Sequence, residues 1–204
     1  MFKQINLKKM KKIGMIAMMF MFSGTMLAQK AKDWKIDRSH SSVRFEVKHL
    51  VSMTPGKFDD FSGTIAFDQK DLKNSKVTFE IDVNSINTDN EKRDGHLKSA
   101  DFFNTEKYPN MKFESTEFLK KEDGLYHVKG KLTIKDQTKD VVLPLKITGI
   151  ADNPWNKEAQ VMGVSIHTTI KRSDYGVGVG DYASDAVIGD EVEIHIAMEL
   201  GADK

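Results

Sequence analysis

Cysteine is absent from the 204 residues, which removes any disulfide framework and the acylation site of a lipoprotein. Helical periodicity is almost absent as well, so a bundle or a helical repeat is excluded. No low-complexity tract and no internal repeat is present. No two histidines stand at i, i+4 and no H-E-x-x-H occurs, so the helical zinc signature is missing and no metal site is expected. No apolar run is long enough to span a bilayer comfortably, which leaves a retained membrane anchor only as the alternative to a cleaved segment. The longest, Ile13 to Phe22, falls well short of the ~20 residues that cross a bilayer.

That run sits in a recognisable order. Lys3, Lys8, Lys9, Lys11 and Lys12 precede it, and the small and polar residues Ser23 to Ala28 follow. This predicts a secretory signal peptide over residues 1–28 and a single mature domain over 29–204, extracytoplasmic, either periplasmic or secreted, with no transmembrane anchor after cleavage. The segment holds five of the 31 basic residues and none of the 30 acidic ones, which leaves 26 bases against 30 acids in the mature chain. A mildly acidic domain offers nucleic acid no basic stripe. Seven of the eleven methionines also lie in the segment, so the methionine content does not indicate a soft binding groove.

The remainder reads as short runs that alternate apolar and polar residues, the mark of strands with one buried face. Trp34 and Ile36 begin a pattern that restarts as Val43, Phe45, Val47. Phe58 lies in one phase and Phe61, Ile65 and Phe67 in the other, which predicts a β-bulge at Asp59-Asp60. Val77, Phe79, Ile81, Val83 follow, then Met111 and Phe113. After a hairpin turn at Asp123-Gly124 come Tyr126, Val128, Leu132 and Ile134. Val141 to Ile147, Met162 to Ile170 and Val192 to Leu200 complete the set. The pattern predicts an all-β fold of about eight antiparallel strands. Short hairpins, the bulge and the uniform alternation favour a closed barrel over a sandwich. The inward phase places Phe45, Val47, Phe79, Ile81, Phe113, Tyr126, Leu132, Ile134, Val164 and Ile166 around one elongated apolar cavity.

Between Asn87 and Ser115 the alternation gives way to a block of charge, amide and aromatic residues. Arg93, Asp94 and His96 lie close together, followed by Phe102 and Phe103 and then Tyr108-Pro109. A polar cluster beside an apolar one suits a molecule with a polar end and a greasy body. The plainer account has Asp89 or Asn90 capping a short helix over Glu91 to Lys98, with the two phenylalanines plugging the core. Either way a short helical insertion is predicted around 91–103. His49 continues the buried phase of Val43, Phe45 and Val47 to the end of its strand, which places it either at the core edge, hydrogen-bonded to backbone, or at a cavity mouth, whereas His127, His167 and His195 fall in the outward phase. The glycines at 176, 178 and 180 precede no helix and no Lys-Ser/Thr, so they mark a loop at a barrel rim rather than a phosphate cradle. Ser165 sits mid-strand without the second glycine of a nucleophile elbow.

Six stretches together resemble the YceI-like family: D-R-S-H-S-S-V-R-F-E-V-K-H (37–49), G-K-F-D-D-F-S-G (56–63), R-D-G-H-L-K-S-A-D-F-F (93–103), Y-P-N-M-K-F-E-S (108–115), L-T-I-K-D-Q-T-K (132–139) and R-S-D-Y-G-V (172–177). Lys135-Asp136 departs from the family pattern, in which a glycine often completes the turn. The resemblance implies an extended, lipocalin-like antiparallel barrel that holds a polyisoprenoid or a related long-chain amphiphile. It implies export, no catalytic residues and no cofactor besides the lipid. Arg93, His96 and His49 would then choose the head group at the mouth while the inward residues hold the tail. The alternative is an enzyme acting on an amphiphile through Arg93, Asp94 and His96. Oligomeric state is open, a homodimer included.

Overall fold

Alternation is realised as ten strand segments in a computed structural model that describes residues 31–204; the predicted signal peptide lies outside the described residues. The segments are β1 (Asp33–His49), β2 (Ser52–Phe58), β3 (Phe61–Ala66), β4 (Lys76–Asp82), β5 (Ile86–Asn87), β6 (Asn110–Glu122), β7 (Leu125–Ile134), β8 (Gln137–Asp152), β9 (Ala159–Lys171) and β10 (Ile188–Asp203). One α-helix, α1 (Glu91–Lys98), follows β5. The strands pair antiparallel in the order β10-β9-β8-β7-β6-β4-β3-β1-β2-β5, and β10 pairs back onto β1, which closes the sheet. Segments β2 and β3 lie end to end along β1 and act as one strand, so the barrel has eight, as the sequence predicts.

Bulges let the strands bend without losing the inward phase. Between β1 and β10 the register runs Asp37↔Glu199 and then Ser42↔Ala197, so the extra residues 38–41 switch parity and turn both Trp34 and Val43 inward. At Asp59-Asp60, where the sequence predicts a β-bulge, the strand breaks instead and separates β2 from β3. Arg38 braces it, donating to the Asp59 carbonyl at 2.9 Å and pairing with Asp60 at 2.8 Å. A register shift after Ser115 likewise buries both Phe113 and Phe118.

Packing is tightest at one end of the barrel, where Phe67, Phe118, Met162 and Leu200 form the floor of the interior space over Trp34 and Tyr126. All six are buried, and the Trp34 indole N–H donates to the Phe67 carbonyl at 3.0 Å. Each such side chain contributes roughly 1.5–3 kcal/mol on removal from water, an upper figure because the unfolded chain already hides part of it. Two insertions cover the other end: residues 83–109, which carry α1, and residues 172–187 between β9 and β10. Helix α1 spans the predicted residues. Asn90 caps it by accepting the Arg93 N–H at 3.0 Å.

Candidate functional site

Inside the barrel lies a cavity of about 230 Å³ whose walls carry almost no polar surface. Its lining follows from strand phase. Phe45 and Val47 of β1, Phe79 and Ile81 of β4, Phe113 of β6, Leu132 and Ile134 of β7, and Val164 and Ile166 of β9 all border it, and Phe102 and Phe103 of the first insertion close it from above. Burial changes along the strands accordingly. Met162 and Val164 are buried while Ile166 and Ile170 are half-buried; Met198 and Leu200 are buried while Ile196 and Ile194 are half-buried. Inward side chains that remain half-exposed border empty space rather than neighbours.

Three glycines make the room for the cavity's phenylalanines. A side chain at Gly56 would overlap the Phe45 ring, one at Gly63 would lie 3.0 Å from the Phe79 ring, and one at Gly130 would lie 2.5 Å from both the Phe113 ring and the Glu114 carbonyl. The rings in turn contact one another, Phe45 with Phe58 at 5.5 Å and Phe61 with Phe79 at 5.8 Å between centroids.

The roof is held by a buried cation. Arg172, only 5% exposed, donates from Nε to the Gly189 carbonyl at 3.0 Å, from Nη1 to Val177 at 3.0 Å and Gly178 at 3.5 Å, and from Nη2 to Ser184 at 3.2 Å and Ile188 at 2.9 Å. Every guanidinium donor is thereby used on backbone carbonyls, so this arginine stitches the 172–188 segment together and has none left for a ligand head group. Lys135 adds a second tether, its Nζ donating to the Gly176 carbonyl at 2.6 Å. Burial pulls the Lys135 pKa down, and the neighbouring Asp136 carboxylate works against that shift. The two insertions meet where the Val179 N–H donates to the Asp101 carbonyl at 2.9 Å and where His96 packs edge-on between Phe102 and Tyr182.

The polar residues singled out in the sequence stand apart from this lining. Arg93 is exposed and grips Thr88, with Nε donating to Oγ1 at 2.7 Å and Nη2 to the carbonyl at 2.6 Å. Asp94 accepts from the N–H and hydroxyl of the same threonine, which is buried. His96 reaches Asp101 at 3.3 Å, and His49 is exposed at the end of β1. Tyr126 belongs to the packed floor, 1% exposed against Phe67. Arg172, Tyr175, Val177, Leu143, Leu145 and Ile194 line the cavity without having been among the candidates. The alternation of β8 and β10 carried the signal for the last three, and the R-S-D-Y-G-V stretch carried it for the others.

One group among the described residues brings three ligating side chains together: Asp37, His40 and Glu199, with ligand atoms within 4.8 Å of one another on the outer surface. Much of their bonding is internal. His40 Nδ1 and Asp37 Oδ2 lie 2.8 Å apart, and the Ser39 N–H donates to Asp37 Oδ1 at 2.8 Å. The histidine and the Ser39 N–H hold the Asp37 carboxyl below its usual value, and the Asp37 carboxylate raises the His40 imidazole.

Residues 34–200 match the family model of the YceI-like domain. A UPF0312 protein of Pectobacterium atrosepticum is 38% identical over 174 residues, which cover 83% of this chain and 86% of that protein. The solved structure of BcnA from Burkholderia cenocepacia superposes with a TM-score of 0.71 at 28% identity, over 82% of this chain and 99% of the other. A polyisoprenoid binding domain from Saccharophagus degradans shares the fold, with a TM-score of 0.61 at 16% identity over 85% of this chain and 99% of that one.

Proposed function

The chain belongs to the YceI-like family, and from that premise we propose that it is an exported, non-catalytic protein that holds a polyisoprenoid or similar long-chain amphiphile in its barrel, for carriage or sequestration. One observation carries the reading: a closed barrel whose interior cavity is almost wholly apolar, roofed by an arginine with no donor to spare. Such a cavity rewards hydrocarbon and nothing else. The Saccharophagus degradans domain of the same fold, described as polyisoprenoid binding, supports the choice of lipid. The basic, apolar and small-residue order of residues 1–28 supports export. Arg93, Asp94 and His96 are engaged with Thr88 and Asp101, which fits a role in shaping the first insertion better than one in chemistry.

Affinity on this reading comes from the tail. Each buried CH₂ contributes roughly 0.8 kcal/mol, so a five-carbon isoprene unit is worth about 4 kcal/mol before ordering costs. At about 230 Å³ the cavity lies just below the ~300–1,000 Å³ of small-molecule pockets, so the gain per unit should level off once the space is filled. The test is organic extraction of the purified protein with mass spectrometry of what co-purifies, followed by titration with isoprenoid alcohols of increasing length. The expected result is a steep rise in affinity with length and then a plateau, the lipid recovered unaltered. Affinity indifferent to tail length, or recovery of a chemically changed lipid, would overturn the reading.

A further inference from the structure

Four large apolar side chains stand in water at the cavity end of the barrel. Leu50 and Val51 form the tip of the β1–β2 hairpin, Met53 opens β2 and Val187 precedes β10, with exposures of 54%, 97%, 44% and 50%. They form one rim, because the Leu50 N–H donates to the Val187 carbonyl at 2.8 Å. The rim also continues the cavity wall: Val47 and Ile188, close to its two halves in sequence, line the interior. Leu50 has a φ of 53°, the left-handed region that tight turns usually give to glycine or asparagine, so an apolar residue is kept at the tip against the conformational preference.

The geometry points to this rim as a docking surface for a lipid bilayer, across which the barrel takes up and returns its ligand; the inference rests on the reading of the barrel as lipid-binding. Size favours a bilayer over a second copy of the chain. A two-fold dimer would pair the rim with itself, and four side chains fall well short of the roughly 20–30 residues a side that a stable interface buries. The other exposed large apolar residues among the described ones, Val142, Ile150, Trp155 and Val179, are spread over β8, the β8–β9 turn and the second insertion and do not extend the rim into a larger patch. Charge decides which kind of bilayer contact. Residues 181–191, which flank Val187, contain four acids and no base, and on the other flank Lys48 is the single fixed positive charge beside Leu50, so the rim has no basic cluster and the contact is apolar insertion that needs no anionic head groups.

The test uses neutral phosphatidylcholine vesicles carrying a fluorescent long-chain isoprenoid alcohol, with the rate of uptake measured against vesicle concentration. The wild-type rate should rise with vesicle concentration. Val51→Asp and Val187→Asp should each slow uptake on the order of tenfold, the worth of one side chain of this size kept out of the apolar phase. Trp155→Asp, at the opposite end, should leave the rate unchanged, and every variant should hold the same amount of isoprenoid when it is delivered from ethanol. A wild-type rate independent of vesicle concentration, or rim variants as fast as wild type, would overturn docking while leaving lipid binding intact. A dimer seen by sedimentation without vesicles and lost in Val51→Asp would also overturn it, by assigning the rim to a second copy. Failure of the wild type to take isoprenoid from ethanol would sink the lipid-binding reading instead. Flotation with ligand-free vesicles then decides docking by itself: co-flotation lost in Val51→Asp supports it, and no co-flotation of the wild type ends it.

Discussion

Asp37 and His40 show how a pair three residues apart acquires its properties from a bulge. Residues 38–41 leave the ladder between β1 and β10, and the imidazole folds back onto the carboxylate at 2.8 Å. The signs of the two shifts agree. The lowered Asp37 pKa makes the contribution present above 3.8 and lost as pH falls through the lowered value; the raised His40 pKa makes it whole below 6.5 and lost as pH rises through the raised value. The pair therefore contributes fully between pH 3.8 and 6.5 and fades beyond that window on either side. An NMR titration is expected to put His40 above 6.5, and Asp37→Asn should bring it back towards 6.5, though Glu199 still raises it. An unchanged midpoint in that variant would rule out the carboxylate as the cause. Neither the bond nor its consequence was readable from the D-R-S-H spacing, because the register slip that creates it depends on β10.

The second insertion is the element most exposed to single changes. It is pinned by Arg172 from within and by Lys135 from the β7–β8 turn, and Lys135 takes a φ of 55°, in the left-handed region that favours glycine. Lys135→Gly relieves a left-handed residue, worth roughly 1–2 kcal/mol, and loses a hydrogen bond from an ammonium to a carbonyl, worth about 1.5–3 kcal/mol. The two largely offset, so global stability in a denaturant melt should fall by no more than about 2 kcal/mol. Amide exchange across residues 176–180 should nevertheless quicken, because the Gly176 carbonyl has lost its anchor. Unaltered exchange there would mean that Arg172 alone holds the roof. Helix α1 tells the opposite story about legibility. Its bounds were readable from local sequence and its cap was narrowed to Asp89 or Asn90, since capping is satisfied within one turn, whereas the choice of Asn90 and the hold of Arg93 and Asp94 on Thr88 need the loop folded.

At the scale of the molecule, a barrel with a packed floor and an open interior depends on keeping its inward phase apolar. Phe79→Asp places a carboxylate where no donor waits, beside Phe61 and Gly63, and should cost several kcal/mol or prevent folding. Urea unfolding checks this; normal stability with undiminished lipid retention would mean that the barrel tolerates water at its centre. The sequence by itself determined the all-β class, the count of eight strands and the inward phase of the strands, because alternation with a period of two is a local property that burial on one face imposes directly. Only the tertiary structure decided which inward residues border the cavity and which fill the floor, why Tyr126 is packed while Ile166 is half-exposed, and that Arg172 spends all its donors on the roof. Those outcomes depend on how strands distant in sequence converge and on which end the insertions cover, and no stretch of chain carries that information alone.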